Sequence, residues 1–263
     1  MEKSAALQVD HVSFAYENER VLKNVGFSLR HGEFMALIGP NGSGKTTLLK
    51  VILGMLSPQE GGVWLDGNPV LAYPPKERAR RMAYVSQQPF LAFPLTVEEL
   101  VSLGRYPYAP RFGRGAGEAK AIEDALRLTD SFSLRGRKFT TLSGGERQKV
   151  LISRALAQTL HLLLFDEPTV HLDLYFQLQI LETLKRLCTE EGATVVAVLH
   201  DPNQVSLFAD KVLLLRSGEA TAFGSVEEVM NEGRMRSAFG VEVSAIRDAK
   251  SEAIYFIPRR PQS

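Results

Sequence analysis

The segment that constrains this chain most is residues 39–47, which read GPNGSGKTT. The spacing of its glycines, its lysine and its first threonine matches the phosphate-binding loop pattern GxxxxGKT. The apolar residues 34–38 precede the segment, and apolar residues recur at helical spacing from Leu48 to Leu53. This pattern predicts a buried strand, a tight loop and a helix whose N-terminus faces a bound phosphate.

The residue types of this phosphate loop explain how it would hold a nucleotide. Glycines let the backbone turn tightly, so that its N–H groups can approach phosphate oxygens. Lys45 is expected to reach the β- and γ-phosphates, and the Thr46 hydroxyl is expected to bind Mg²⁺. A glycine-rich turn with a surface lysine is the alternative, but the flanking strand and helix argue against it. The predicted nucleotide-binding residues are Gly39, Pro40, Asn41, Gly42, Ser43, Gly44, Lys45, Thr46 and Thr47.

Composition excludes several other classes of protein. The 263 residues suffice for one large domain or two modest ones, and a net charge of +1 gives no argument for nucleic acid or a membrane surface as partner. The single cysteine, Cys188, excludes an internal disulfide and fits a reducing compartment. No apolar run approaches the roughly 20 residues that span a bilayer. We therefore expect any membrane-spanning part to belong to another chain.

The order of apolar patterns predicts an α/β fold. Alternating residues near 7–14 and 22–29, followed by a hairpin signal at Asp66-Gly67, predict an antiparallel sheet at the start of the chain. Buried strands are expected at residues 82–85, 161–165 and 194–199, with helices between them, which is typical of a mostly parallel sheet. Residues 89–141 contain no convincing strand and are expected to form a helical insert, with a loop at the Gly-, Pro- and Arg-rich residues 105–117. Capping boxes are expected where a serine or threonine is followed three residues later by glutamate, at Thr96, Ser143 and Ser225. Leucines at helical spacing from Leu174 to Leu187 predict the apolar face of a long helix. The tail from residue 234 is weakly patterned.

Polar residues follow three of the expected parallel strands. Gln87 follows residues 82–85, the pair Asp166-Glu167 follows residues 161–165, and His200 follows residues 194–199. Because ligands of such sheets bind beyond the carboxyl ends of the strands, these side chains are expected to lie around one bound nucleotide.

Residues 142–148 read LSGGERQ, and with them the chain resembles the ATP-binding subunits of ABC transporters over nearly its whole length. The resemblance implies a P-loop NTPase core with a mostly parallel sheet, an N-terminal antiparallel β subdomain and an inserted α-helical subdomain. Within a single ABC ATPase domain, 1–263, the core with its β subdomain covers 1–88 and 142–233. The helical subdomain covers 89–141, and a C-terminal tail covers 234–263.

The resemblance also implies a role for each motif residue, with ATP and Mg²⁺ as cofactors. Tyr16 corresponds to the aromatic residue that stacks on adenine, although a sheet-edge aromatic is the alternative. Gln87 corresponds to the glutamine that senses Mg²⁺ and the attacking water, with Gln88 beside it leaving the register open. Asp166 matches the Mg²⁺ ligand, Glu167 the catalytic carboxylate, and His200 the histidine that contacts the γ-phosphate.

Further implied residues concern a second copy of the chain. Asp173 matches the loop that crosses the interface of a homodimer, and Ser143, Gly144 and Gly145 would cap ATP held by the other subunit. The implied partners are integral-membrane permease subunits and, indirectly, a substrate-binding protein, with no nucleic acid. The implied location is the cytoplasm, peripheral on the cytoplasmic face of the plasma (inner) membrane.

Within the family, residues 95–101 (LTVEELV), 104–108 (GRYPY) and 200–204 (HDPNQ) are similar to importers of iron-siderophores, haem and vitamin B12. Pro202 departs from the leucine usual there, and Lys149 replaces the more usual arginine; neither affects the expectation of ATP hydrolysis. The alternative is a non-transport ABC ATPase acting on ribosomes or nucleic acid, a class that usually carries two cassettes or a long coiled coil. A small-molecule kinase would lack residues 142–148, and an exporter would normally carry its own spanning segments.

Overall fold

The computed structural model describes residues 5–87, 94–109, 117–249 and 253–259. Its α-helices are α1 (Lys45–Ile52), α2 (Pro75–Ala79), α3 (Val97–Ser102), α4 (Glu118–Leu128), α5 (Gly144–Gln158), α6 (Leu174–Glu191), α7 (Pro202–Phe208), α8 (Val226–Val229) and α9 (Glu232–Phe239). Its strands are β1 (Leu7–Tyr16), β2 (Glu19–Leu29), β3 (Phe34–Ile38), β4 (Glu60–Leu65), β5 (Asn68–Pro69), β6 (Met82–Val85), β7 (Leu162–Phe165), β8 (Thr194–Val198), β9 (Lys211–Arg216), β10 (Glu219–Ser225), β11 (Val243–Arg247) and β12 (Ile254–Pro258).

The chain forms two compact units. The first unit comprises Met1–Ala72 and Val196–Ser263, and the second comprises Tyr73–Val195. Strand β8 crosses the boundary, since its first two residues belong to the second unit. The subdomain boundaries at residues 89 and 141 remain a prediction, and residues 88–93 lie outside the described ranges.

The first unit contains the antiparallel sheet that the sequence predicts, with strand order β2-β1-β4-β5. Apolar residues of β1 and β2 pair across the ladder, as in Leu7 with Leu29 and Val9 with Phe27, and all four are buried. The predicted turn joins β4 to β5, with positive φ angles at both Asp66 (50°) and Gly67 (77°). Two positive φ angles define the turn type that matches the twist of a tight hairpin.

The mostly parallel sheet is also confirmed. In the first unit its order is β10-β9-β3-β8, with β3 parallel to β9 and β10 antiparallel to β9. In the second unit its order is β8-β7-β6, with β6 parallel to β7. Every residue of β3, β7 and β8 is buried, as expected of strands covered on both faces.

Helices dominate the second unit around α5. The three capping boxes that the sequence predicts are present, at Thr96 before α3 and Ser143 before α5 in this unit and at Ser225 before α8 in the first unit. Side-chain hydroxyls also join helices, because Thr129 at the end of α4 hydrogen-bonds at 2.6 Å to the buried Ser153 of α5. Local signals therefore place the helix starts, and a buried polar contact fixes one helix on another.

One segment expected to be a loop, residues 105–117, is partly helical. Leu103–Tyr108 forms a 3₁₀ helix, while residues 110–116 lie outside the described ranges. The Arg105 guanidinium lies 3.8 Å from the centre of the Tyr108 ring and donates to the Ala157 carbonyl at 2.6 Å. The contact of Arg105 with α5 is tertiary and cannot be read from the local sequence, so the Gly-, Pro- and Arg-rich composition predicts a loop instead.

The described part of the C-terminal tail has regular structure, which its weak pattern does not predict. It contains most of α9 and the antiparallel pair of β11 and β12, which we call the terminal hairpin (residues 243–247 and 254–258). Only Val243 and Phe256 of its strand residues are buried, while Ile246 and Ile257 are each 51% exposed. Because apolar residues also occupy the solvent-facing side of β11 and β12, their sequences lack the apolar–polar alternation that predicts a strand.

Helix α6 has the predicted apolar face, but the face is only partly covered. Leu181, Leu184 and Leu187 are buried, whereas Leu174 is 67% and Leu178 is 38% exposed. None of the helices in the described residues is long and apolar enough to cross a membrane.

Close packing at Gly104 yields a stability prediction. A Cβ at this position would overlap the Arg154 carbonyl oxygen of α5, so Gly104→Ala should force the 3₁₀ helix away from α5. We expect a loss of about 1–3 kcal/mol in the free energy of unfolding, as for other overpacked sites. The matched control is Gly136→Ala, whose Cβ meets nothing within 4 Å and should change stability by less than about 0.5 kcal/mol. Urea unfolding measures both, and equal values would contradict this packing.

Candidate nucleotide-binding site

The phosphate loop lies in the first unit, between β3 and α1, as predicted. Gly39, Gly42 and Gly44 all have positive φ angles, of 151°, 76° and 101°. A Cβ on Gly39 would overlap the Leu215 carbonyl oxygen, and a Cβ on Gly44 would press on Val21 and Leu22. The loop therefore needs glycine for two reasons, its backbone conformation and its close approach to neighbouring strands.

Two side chains of the loop are suited to phosphate. The Lys45 ammonium donates to the carbonyl oxygens of Gly39 and Pro40, each at 2.8 Å, so the lysine lies over its own loop. Ser43 Oγ is buried and, among the described residues, has no hydrogen-bond partner. A buried hydroxyl of this kind is costly unless a ligand or water bonds it. The loop thus offers a cation, a hydroxyl and turned backbone N–H groups to an anionic group.

The other predicted residues of the first unit lie at strand ends. Tyr16 ends β1 and is 43% exposed, with its ring edge-on to Phe14 at 4.9 Å between centroids. His200 is exposed and lies two residues beyond β8, next to Asp201, which caps α7. The adenine contact of Tyr16 and the phosphate contact of His200 stay predictions.

In the second unit the structure brings Gln87 and Glu167 together. Gln87 Nε2 donates to Glu167 Oε2 at 2.5 Å, which joins the second residue after β6 to the second residue after β7. Glu167 has a φ angle of 55°, a left-handed conformation that is strained for a residue other than glycine. Such strain concentrates at functional sites, where the surrounding structure holds it in place. Gln88, the alternative in register, lies outside the described residues.

Asp166 is buried and has a hydrogen-bonding neighbour that the sequence analysis missed. The Tyr84 hydroxyl donates to Asp166 Oδ2 at 3.2 Å, across the parallel pair β6 and β7. Burial, the Asp166 charge and this hydrogen bond raise the pKa of Tyr84 far above its ordinary value. The phenol therefore stays protonated and keeps donating to the carboxylate. The contact of Tyr84 with Asp166 could have been predicted only from the pairing of β6 with β7, which brings Tyr84 close to the end of β7.

The predicted metal ligands offer oxygen donors. Mg²⁺ prefers oxygen ligands, retains several waters and uses only one or two carboxylates. The hydroxyl of the exposed Thr46, the amide of Gln87 and the carboxylate of Asp166 fit that preference. Among the described residues, no group of three or more His, Cys, Asp or Glu side chains could hold a metal ion by itself.

Residues 142–148, which we call the signature segment, begin α5. Ser143 Oγ accepts from the Glu146 N–H, and Glu146 Oε2 accepts from the Ser143 N–H at 2.8 Å. The hydrogen bonds with Ser143, helped by the charges of Arg137 and Lys149, lower the pKa of Glu146. The cap thus bonds the third N–H of the helix, and the N–H groups of its first two residues, Gly144 and Gly145, have no acceptor within the helix. An oxyanion is the natural acceptor for them.

The start of α6 packs directly against the signature segment. A Cβ on Gly145 would overlap the Phe176 ring, and a Cβ on Gly144 would touch Leu172. Asp173 caps α6 by accepting from the Phe176 N–H at 3.0 Å. Asp173, the predicted interface residue, therefore lies near Gly144 and Gly145, the glycines predicted to cap ATP. Phe176 contacts Asp173 and Gly145, and the sequence analysis did not identify it.

The predicted site residues fall into three groups, one in the first unit and two in the second. Tyr16, the phosphate loop and His200 belong to the first unit, and the remaining predicted residues belong to the second. Within the second unit, one group surrounds Asp166 and Glu167, and the other joins the signature segment to Asp173.

A family model described as ABC transporter matches residues 22–170, which include the phosphate loop, the signature segment and both carboxylates. The chain belongs to the ABC transporter family. As a family member with this set of motifs, it is an ABC-type transport ATPase, and the enzyme class and ATP as ligand are confirmed.

Full-length relatives support the same conclusion. The ferric enterobactin transport ATP-binding protein of Escherichia coli (strain K12) is 36% identical over 258 residues, covering 98% of this chain and 95% of the relative. A chain of an ABC transporter described as metal-chelate type, in an inward-facing conformation, superposes with a TM-score of 0.86 at 30% identity, covering 98% of both chains. An ATP-binding cassette in a dimeric post-hydrolysis state, with ADP and phosphate bound, superposes with a TM-score of 0.71 at 32% identity. The match covers 84% of this chain and 98% of that chain.

Proposed function

We propose that this ABC ATPase powers the import of a metal chelate, most specifically a ferric siderophore, through a membrane permease. The full-length similarity to a ferric enterobactin transport ATPase carries this assignment. The similarity to a transporter described as metal-chelate type supports the same cargo class. Haem and cobalamin belong to the same proposal as alternative cargoes, because the ATPase does not itself contact the cargo.

The proposed chemistry of hydrolysis uses the residues of the first-unit group and the residues around Asp166 and Glu167. Lys45 and the loop N–H groups neutralise phosphate charge, and His200 contacts the γ-phosphate. Thr46, Asp166 and Gln87 would hold Mg²⁺, which would offset charge on the β- and γ-phosphates. Glu167 orients the attacking water and accepts its proton. The hydrogen bond from Gln87 to Glu167 supports this role, because it fixes the orientation of the carboxylate.

The working unit is a homodimer in which Ser143, Gly144 and Gly145 of one copy bind ATP held by the other. The two glycine N–H groups at the start of α5 support this role, because they are donors without an acceptor inside the helix. Leu174 and Tyr175, beside Asp173, are 67% and 65% exposed, which is unusual for adjacent large apolar residues and fits a surface covered by a second copy. A dimeric cassette among the similar structures supports the same arrangement.

The permease contact is proposed to lie on the helical insert. Leu103 and Tyr106 are 52% and 81% exposed, beside a groove of about 670 Å³ that Glu98 and Ile122 also line. Exposed aromatic and aliphatic residues next to a groove are typical of sites that receive a partner helix. The proposal includes a location on the cytoplasmic face of the plasma membrane and a substrate-binding protein as an indirect partner.

The cargo is tested by reconstituting the ATPase with its own permease and binding protein in liposomes. We expect ATP-driven uptake of a ferric siderophore, with haem and cobalamin taken up poorly. Lys45→Ala serves as the inactive control, because it removes the cation that neutralises the phosphates. Uptake of only haem or only cobalamin would reassign the cargo, and ATP hydrolysis that never depends on a permease would favour a non-transport ATPase.

The catalytic carboxylate is tested with Glu167→Gln. Loss of the proton acceptor should lower ATP turnover by about 10²–10⁴-fold, because the amide keeps the shape but not the base. Since Lys45 and Asp166 are unchanged, ATP should still bind, and the variant should be a dimer in ATP with Mg²⁺ and a monomer in ADP. Light scattering after gel filtration measures this. Glu182→Gln, an exposed change on α6, should behave like the wild type, and substantial hydrolysis by Glu167→Gln would show that the carboxylate is misassigned.

The permease surface is tested with Glu98→Lys combined with Tyr106→Asp, both at exposed positions. These changes should lower uptake at least severalfold while the basal ATPase rate of the isolated protein stays near normal. The reason is that neither side chain belongs to the groups that bind ATP. Glu190→Lys, an equivalent charge reversal at the exposed end of α6, is the control. Normal uptake by the double variant would move the permease contact elsewhere.

A further inference from the structure

The outer edge of the terminal hairpin is bonded by side chains of α7. Asn203 Oδ1 accepts from the Phe256 N–H at 2.7 Å, and Asn203 Nδ2 donates to the Phe256 carbonyl at 3.5 Å. One helical turn later, Ser206 Oγ accepts from the Ile254 N–H at 3.0 Å. Asn203 thus presents to Phe256 the same donor and acceptor that a neighbouring peptide group would.

The spacing of these contacts shows why they work together. Residues three apart lie on one face of a helix, and residues two apart point their N–H groups to the same edge of a strand. Unpaired edge groups of a hairpin would otherwise need water or another chain. Phe256 itself is 2% exposed, so the contact combines a buried ring with a paired backbone. The terminal hairpin is therefore fixed to α7 in one register.

Helix α7 is joined to His200 by a short and stiff link. Asp201 alone separates His200 from the helix, and its Oδ1 accepts from the Asn203 N–H at 2.8 Å. Pro202 at the first helical position has a fixed φ angle, so it transmits the orientation of α7 to the preceding residues. A displacement of α7 must therefore displace the His200 backbone.

We propose that Asn203 and Ser206 are positioning residues, which hold His200 in place for the γ-phosphate by fixing α7 to the terminal hairpin. The inference rests on the proposed contact of His200 with phosphate and gives the C-terminal tail a role in hydrolysis. The inference also explains why a proline at position 202 is suitable, because its fixed φ angle makes the connection from α7 to His200 rigid.

Asn203→Ala tests the inference through the steady-state kinetics of ATP hydrolysis. We expect kcat to fall about tenfold with KM for ATP nearly unchanged, since a small misplacement of a group near the reacting centre affects the chemical step most. Asn203→Asp keeps the oxygen that accepts from the Phe256 N–H and should recover much of the rate. An unchanged kcat in Asn203→Ala would overturn the inference.

The matched control is Glu232→Ala, which removes a hydrogen bond at the other edge of the same hairpin. Glu232 Oε1 accepts from the Ala245 N–H at 2.8 Å, so Glu232→Ala removes a bond between the hairpin and α9 and leaves α7 alone. Its kcat should equal that of the wild type even if its thermal midpoint falls as much as that of Asn203→Ala. Equal losses of kcat in the two variants would indicate general stability instead of positioning, and would overturn the inference.

A double-mutant cycle separates this inference from the role of His200. His200→Ala should lower kcat strongly, and adding Asn203→Ala should lower the residual rate no further, because residues that act through one group are not additive. Additive losses would overturn the positioning role while leaving His200 in place. Full activity in His200→Ala would show instead that the phosphate contact is misassigned, and the inference would fail with it.

Discussion

If the N–H groups of the phosphate loop are to face a ligand, few of them can hold the loop together, so the rest of the first unit has to do so. Within the loop, the Ser43 N–H donates to the Pro40 carbonyl at 3.2 Å. The turn between β9 and β10 contributes, because the Gly218 N–H donates to the Ser43 carbonyl at 3.1 Å and the Gly218 carbonyl accepts from the Lys23 N–H at 2.8 Å. Lys45 contributes by bonding two loop carbonyls. The antiparallel sheet and the last hairpin of the parallel sheet thus hold one loop in a conformation suited to phosphate.

In the second unit, the two adjacent carboxylates Asp166 and Glu167 are each oriented by a different hydrogen bond. Side chains at consecutive positions of an extended strand point to opposite faces, so Asp166 and Glu167 can both bond groups from β6 and the residues after it only if the backbone turns between them. The φ angle of 55° at Glu167 provides that turn. Tyr84 bonds the first carboxylate and Gln87 bonds the second, and both come from β6 or the residues after it. The parallel pairing of β6 with β7 therefore supplies a separate orienting group to each carboxylate.

The sequence predicts those parts of the fold that local chemistry determines. The phosphate loop, the capping boxes and the Asp66-Gly67 turn each need only a few neighbouring residues, and all are confirmed. Contacts between distant residues were not predictable, because Tyr84 with Asp166 and Asn203 with Phe256 depend on which strand or helix lies alongside. The terminal hairpin was missed for a similar reason, since α7 satisfies its edge and its own sequence carries little alternation.

In the signature segment, a glycine is required for packing at a position where nucleotide binding is also proposed. A helix N-terminus needs small residues if its N–H groups are to approach an anion closely, and Gly144 and Gly145 meet that requirement. The Phe176 ring lies where a Cβ on Gly145 would be, so the second glycine also lets α6 pack against α5. Because the Phe176 N–H is held by Asp173, any movement of the signature segment must be passed to the loop before α6. In a dimer that closes on ATP, the glycines that contact the nucleotide and the loop that meets the partner would then move as one body.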